Sequence, residues 1–410
     1  MNRQKAKVAF VSSYAPRKCG IATFTCDLIK NIHRAAGDDF EPEVYAMETG
    51  PLSACGYQSP VRMIIRKACQ SDYIAAANLV NASDVDLVCV QYEFGLFDGP
   101  AGSFLPAFLR RIRKPLVTTL HTVLEKPEPA FFESIVDVCR ASDRIVVMNE
   151  CGLDMLERIY NVPPQKVELI GHGIPDLPFT DTVHFKQKLG LGRRKTILTF
   201  GLLSQNKGIE LMLKAMPDVV RRDPCALYII LGATHPEVIR HEGPVYKTKL
   251  EKMVRSLGLG QHVIFNHRFV EDNELFQYLS AADVYVTPYL NKEQLTSGTL
   301  AFAVGSGRAV VSTPYWAAEE LLAAGRGRLV DFGDARQMAQ AVNDILANPV
   351  AAMEMRTKAY RYGRSITWAR VGAAYWELFH EVLDTAATII RPYFEVAAAD
   401  LFSSARMQIA

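Results

Sequence analysis

The sequence predicts an α/β protein made of two doubly wound parallel sheets that face each other across a cleft. Three observations predict it. The chain has 410 residues, more than one hydrophobic core ordinarily organises. Short apolar runs alternate with helix-length segments along most of its length, the pattern of parallel strands joined by crossover helices. At residues 171–178 the run GHGIPDLP interrupts the alternation with glycines and prolines, and a second series begins beyond it. The expected domains are residues 1–174 and 175–365, with helices over 366–410 closing the chain.

The first strand is KVAFVS, residues 7–12, apolar almost throughout as a strand covered on both faces must be. A Pro/Gly loop over 15–20 and a helical pattern over 22–34 complete a strand, loop and helix whose spacing matches neither a dinucleotide fingerprint nor a Walker loop. Strands at 44–47, 61–65, 86–91, 116–120, 144–148 and 167–170 follow, most separated by helical segments such as 131–139 and 152–160. The second series runs strand 195–201, helix 208–221, strand 227–232, helix 245–257, strand 263–266, helix 273–281 and strand 284–286. Then comes NKEQLTSGTLAFAVGSGRAVVSTP, residues 291–314: a polar loop, a small-residue helix and a β-branched strand at 309–312. A strand at 327–330 and helices at 319–323 and 335–346 follow it.

Charge narrows the partners. With 46 basic and 44 acidic residues the formal net charge is +2, so nothing draws the whole chain to nucleic acid, and small molecules are expected instead. The eight cysteines show no metal-ligand pairing and follow no secretory signal, which reads as reduced thiols in the cytoplasm. No apolar run approaches the ~18 residues of a membrane span. The cluster Arg110, Arg111, Arg113 and Lys114 either touches anionic lipid in a peripheral contact or solvates a helix end, and we take the second reading.

Ligands of open parallel sheets bind beyond the carboxyl ends of the strands, so the loops after Ser12, Gln91, Leu120, Gly201, Gly232 and Pro288 are expected to converge. Thr296, Ser297, Gly298 and Thr299 stand where a helix must begin, and the free N–H groups and positive dipole end there suit an anion. Lys207, where a strand passes into a helix, suits a cation beside a phosphate. His121, after PLVTTL, is placed to donate to or orient a substrate hydroxyl. Glu93, Phe94 and Gly95 read as a polar pocket wall rather than a packed segment, with Glu93 an acceptor. Asp84 and Asp86 precede a strand, the wrong end for a metal pair, and read as a solvated turn. No Ser/His/Asp order, phosphate-binding P-loop or zinc spacing stands out, leaving transfer between bound substrates.

Jointly, CGIATF after the first strand, His121 after PLVTTL, GHGIP, FGLLSQNKG and LTSGTLAFAVGSGRAVVSTP resemble the retaining glycosyltransferases of family 4. The resemblance implies the GT-B fold of two facing Rossmann-like domains, the first on the acceptor side, the second holding the donor, with the final helices crossing back onto the first. It implies transfer of a hexosyl group, mannose or glucose, from a GDP-, UDP- or ADP-linked sugar to a carbohydrate or small-molecule hydroxyl, with retention and with no required cofactor or metal. By position, Lys207 would neutralise the diphosphate, and Thr296 and the amides of Ser297, Gly298 and Thr299 would hold it beside Gly201. Gly20 and Ile21 would close on it, Arg268, Phe269 and Val270 would face the base, and His121 would lie near the transferred sugar. Glu93, Phe94 and Gly95 would line the acceptor side.

This chain departs from the family where a pair of glutamates is usual: Gln294 and Phe302 occupy those positions. Gln294 can still hydrogen-bond a sugar and joins His121 and Lys207 as a candidate catalytic residue, whereas Phe302 cannot hold ribose hydroxyls. The arginine commonly paired with the lysine is Leu202. RKCGIATFT and QYEFG are similar to a bacterial subgroup with this modified loop. Two other readings stand beside transfer: a sugar-nucleotide-binding protein without catalysis, and a glycoside phosphorylase-like enzyme taking free phosphate at the 297–299 turn.

Overall fold

The computed structural model describes residues 5–48, 50, 56–234 and 245–388. Its first sheet has seven strands: β1 (Ala6–Ser12), β2 (Phe40–Glu48), β3 (Val61–Arg66), β4 (Leu87–Tyr92), β5 (Leu116–Leu120), β6 (Arg144–Val147) and β7 (Val167–Leu169). They lie in the order β3-β2-β1-β4-β5-β6-β7. The second sheet has six: β8 (Lys195–Phe200), β9 (Ala226–Leu231), β10 (Val263–Asn266), β11 (Val284–Thr287), β12 (Ala309–Ser312) and β13 (Arg328–Leu329), ordered β10-β9-β8-β11-β12-β13. All pairings are parallel. In each sheet the winding reverses beside the first strand, between β1 and β4 and between β8 and β11, which opens a crevice at the carboxyl edge.

Helices cover both faces, so every residue of β4, β5 and β9 is buried. In the first half these are α1 (Gly20–Ala36), α2 (Gln70–Ala82), α3 (Leu105–Leu109), α4 (Pro129–Ala141) and α5 (Glu150–Arg158). The second has α6 (Thr182–Lys188), α7 (Ile209–Arg222), α8 (Val245–Ser256), α9 (Asp272–Ala281), α10 (Gly298–Gly305), α11 (Trp316–Leu321), α12 (Ala335–Ala347) and α13 (Pro349–Gly363). The last, α14 (Trp368–Thr388), packs along α1: Trp368, Val371, Tyr375 and Phe379 share a core cluster with Val8, Phe10, Leu28 and Ile32. Gly372 permits the approach, since a Cβ there would meet the Asn31 carbonyl oxygen at 2.4 Å.

Some boundaries differ from expectation. α1 starts two residues early because the Cys19 thiol caps it, accepting from the Ala22 N–H at 3.4 Å. α5 starts at Glu150 because the Asn149 side chain accepts from the Gly152 N–H at 2.9 Å. α11 starts at Trp316 rather than 319, where Trp316, Ala317 and Ala318 are all buried. The expected helices over 366–410 lie outside the described residues beyond 388.

Lys7 holds both members of the acidic pair at the amino edge, its N–H on Asp86 and its ammonium on Asp84, each at 2.8 Å. Arg110 and Arg111 donate to the Pro106 and Ala107 carbonyls at the end of α3, a helix-end role. Among the described residues seven cysteines are free, no His/Cys/Asp/Glu group is arranged to hold a metal, and no helix is long and apolar enough to cross a membrane.

Candidate functional site

The second half's crevice is built around the loop from β11 to α10. Ser297 caps α10 by accepting from the Leu300 N–H at 3.4 Å, leaving the first amides of the helix open. The Thr313 hydroxyl ties the loop to β12 through the Tyr289 carbonyl at 2.6 Å. Tyr289 is the element the sequence reading missed. Its hydroxyl lies 2.9 Å from that of Thr299, its ring stacks on Tyr315 at 4.9 Å, and the Lys207 ammonium sits 3.9 Å over its face. The lysine is thereby positioned beside α10 through a cation–π contact. Gly201, at φ +127°, places β8 against the same turn: a Cβ there would lie 3.1 Å from the Thr299 methyl carbon. Lys207, Gly201, Ser297, Gly298 and Thr299 therefore meet.

In the first half, His121 follows β5, its N–H bonded to the Tyr92 carbonyl and its Nε2 2.9 Å from the Gln91 carboxamide oxygen. The Gln91 amide nitrogen donates to Thr119, so its oxygen faces the ring and Nε2 carries the proton. The free nitrogen is Nδ1, an acceptor, so toward a substrate hydroxyl His121 accepts rather than donates. Burial, and secondarily the charge of His172, pushes its pKa down to about 3. His172, from the GHGIP turn, is also held neutral by burial, at about 4. Phe24 on α1 packs edge-on to both rings, at 5.0 Å and 5.2 Å.

The halves touch across this floor. A Cβ on Gly298 would stand 2.8 Å from the His172 Nε2, one on Gly305 1.9 Å from the Ile174 Cδ1, and one on Gly307 2.7 Å from Phe179. The segment after β7 thus lies along α10 without a side chain between them. Ile174 also pairs with the second crossing, its N–H donating to the Ile366 carbonyl at 3.0 Å and its carbonyl accepting from the Trp368 N–H at 2.8 Å. Asn149 donates to the Leu295 carbonyl at 2.6 Å, and Glu320 accepts the Glu150 N–H at 2.9 Å. At the cleft rim the Lys18 ammonium lies 5.0 Å over the exposed Phe269 ring.

The other expected site residues lie as follows. Glu93, Phe94 and Gly95 form a partly buried turn: Phe94 packs on Tyr92 and Phe131 at 5.3 Å and 4.8 Å, while Gly95 is exposed with open space beside it. Glu93 accepts from Thr122 at 2.5 Å and from the amides of Phe94 and Gly95, while burial raises its pKa. Arg268 is ion-paired with Glu274 yet exposed, and Val270 packs into the second-half core, so Arg268 and Phe269 are the exposed members of their segment. Ile21 packs against the first core, and the space above Gly20 is open. Gln294 directs its amide into its own loop, donating to the Thr296 carbonyl at 2.6 Å, while the Thr296 hydroxyl is buried without a partner. Phe302 faces His172 and Phe276 at 6.1 Å and 6.4 Å, an apolar wall.

Comparison with known proteins supplies the family. Residues 19–176 match the family described as Glycosyltransferase Family 4, and residues 194–348 that described as Glycosyl transferases group 1. A GDP-mannose-dependent alpha-(1-6)-phosphatidylinositol monomannoside mannosyltransferase of Mycolicibacterium smegmatis is 29% identical over 42% of this chain and 43% of its own. A D-inositol 3-phosphate glycosyltransferase of Rhodococcus jostii is 25% identical over 62% of this chain and 58% of its own, so the chain spans about half the length of these relatives. Among solved structures, Anabaena HepE in complex with UDP superposes with a TM-score of 0.72 at 16% identity, covering 92% of this chain and 100% of that one. Sucrose-phosphate synthase from Thermosynechococcus elongatus gives 0.75 at 18%, covering 93% and 100%. With two parallel sheets, two switch points and both halves matched in order, the chain belongs to the family 4 glycosyltransferases and has their GT-B fold.

Proposed function

We propose that the protein is a retaining hexosyltransferase acting in the cytoplasm, moving mannose or glucose from a nucleotide-diphosphate sugar to a carbohydrate or small-molecule hydroxyl. The observation that carries this reading is the contact series Gly298, His172, Phe24, His121, which sets the open helix start of the second half beside the first half's strand-end histidine. The reading divides the chain at 174/175 and 365/366. The diphosphate occupies the first turn of α10 against the amides of residues 297–299, with Lys207 neutralising it. Phe269 stacks on the base, and the sugar lies toward His121.

Retention follows if the acceptor hydroxyl attacks on the face the leaving diphosphate departs from. A diphosphate oxygen then takes the hydroxyl proton as the anomeric C–O bond breaks, and the leaving charge falls on the helix start and Lys207. His121, neutral, accepts a hydrogen bond from the sugar through Nδ1. The test is an acceptor screen with UDP-, GDP- and ADP-linked hexoses in chelator, read by mass spectrometry and anomeric NMR. An α-linked product from an α-linked donor supports the proposal; donor binding without transfer or hydrolysis supports the reading without catalysis, which Phe302 at the ribose position motivates. Phosphate-dependent cleavage of an oligosaccharide would instead mark a phosphorylase.

A further inference from the structure

His172 enters none of the roles above, yet its ring is the side chain nearest the start of α10 from outside the second half's loops. Its Nδ1 lies 2.8 Å from the Gly173 carbonyl, and a carbonyl only accepts, so Nδ1 carries the proton and Nε2 keeps its lone pair. Nε2 has no hydrogen-bond partner among the described residues, and a Cβ on Gly298 would stand 2.8 Å from it. Phe24 and Phe302 hold the ring edgewise at 5.2 and 6.1 Å, and Trp368 lies tilted to it at 5.8 Å. An accepting nitrogen is thus aimed at a helix start that favours anions.

We infer that His172 is a switchable ligand of the donor diphosphate: when the anion binds, Nε2 takes a proton from solvent and donates it in a hydrogen bond to a phosphate oxygen. The inference rests on the diphosphate reading of α10 given above. Unprotonated, Nε2 would face the phosphate acceptor to acceptor. Protonated, it adds a second positive charge to that of Lys207, whose usual arginine companion is Leu202 in this chain. Without ligand, burial keeps the ring neutral, and an adjacent anion reverses that balance. The charge is therefore present when donor is bound, and the proton returns to solvent when the nucleoside diphosphate leaves. The other titratable groups facing the ring are His121 across Phe24, and Glu320 and Tyr362, which line a small cavity with it.

The experiment is calorimetric titration with UDP-glucose, GDP-mannose and ADP-glucose, whose doubly esterified phosphates do not titrate near neutral pH. Binding enthalpies in two buffers of different ionisation enthalpy count the protons taken up. Wild type should take up a proton on binding and bind more tightly as pH falls from about 8 to 6. His172→Asn, whose amide can keep the Gly173 bond, should bind about 10- to 100-fold more weakly with no uptake and a flat pH profile. His172→Gln, with an amide near the Nε2 position, should recover part of the affinity and none of the uptake. His121→Gln and Glu320→Gln should keep the uptake. Binding by wild type without uptake, or the same uptake in the Asn variant, overturns the inference and leaves the diphosphate reading intact. No binding of any sugar nucleotide to wild type overturns both.

Discussion

Gly298→Ala tests whether the helix start and the histidine of the GHGIP turn are as tightly apposed as the geometry states. The new methyl would lie 2.8 Å from the His172 Nε2 and 3.0 Å from its Cε1. Ordinary carbon contacts lie at about 3.5–4.0 Å, so the ring would have to withdraw by roughly 0.5–1 Å. It is tethered through Nδ1 and wedged by Phe24 and Trp368, so the strain should cost about 1–3 kcal/mol. The loss of glycine's freedom in the unfolded chain returns about 0.4–1 kcal/mol. The net is a destabilisation of about 1–2 kcal/mol, or roughly 2–8 °C in melting temperature for a half of this size. Denaturant and thermal unfolding of wild type, Gly298→Ala, His172→Ala and the double variant read it directly. With the histidine ring gone the added methyl should be neutral or stabilising, giving a coupling of at least ~1 kcal/mol. A Gly298→Ala protein that melts with wild type, or a penalty that persists without the ring, would refute the apposition.

Lys207→Ala should weaken sugar-nucleotide binding about 10- to 100-fold in calorimetry while changing stability by less than ~1 kcal/mol, since the cation–π contact with Tyr289 is its main packing interaction; unchanged affinity would remove it from the diphosphate site. Arg308→Met should cost about 3–5 kcal/mol in denaturant unfolding, because the buried guanidinium donates to the carbonyls of Ser306 and Ser280 and leaves them without that donor when lost. Asp27 on α1 is raised to about 6 by burial and then by the charge of Asp272 on α9. Its folded value lies above its unfolded one, so its ionisation penalises the fold increasingly as pH rises through 6 and not at all below about 4. Asp27→Asn should therefore exceed wild type in stability at pH 8 by on the order of 2 kcal/mol, with the gap closing toward pH 4; a constant gap across that range would contradict it.

The sheets were readable from the chain because parallel strands are apolar on both faces, so β4 and β5 appear as continuous runs between helical periods. The helix start at Ser297 was readable because its cap is a residue of the preferred kind. Where the cap is a thiol, as at Cys19, the same reasoning began the helix late. Contacts made only by assembly were not readable. Phe94 takes its packing from Phe131, a residue of α4 far along the chain. His172 sits in what reads as a linker, and nothing local announces that α10 will lie against it. Tyr289 carried a weak signal, an aromatic just past Pro288 at a strand's carboxyl end, which the search for charged groups passed over.

The placement of α14 sets the order in which the molecule can be made. The face of the first sheet carrying Val8 and Phe10 is completed by Trp368, Val371, Tyr375 and Phe379, side chains synthesised after the entire second half. On the ribosome, an early product therefore waits with part of its core uncovered while an inserted unit folds ahead of it, and it closes only when the last long helix emerges. Nascent chains halted before Trp368 should be the ones chaperones hold longest, even though nearly all of the cleft has by then been translated.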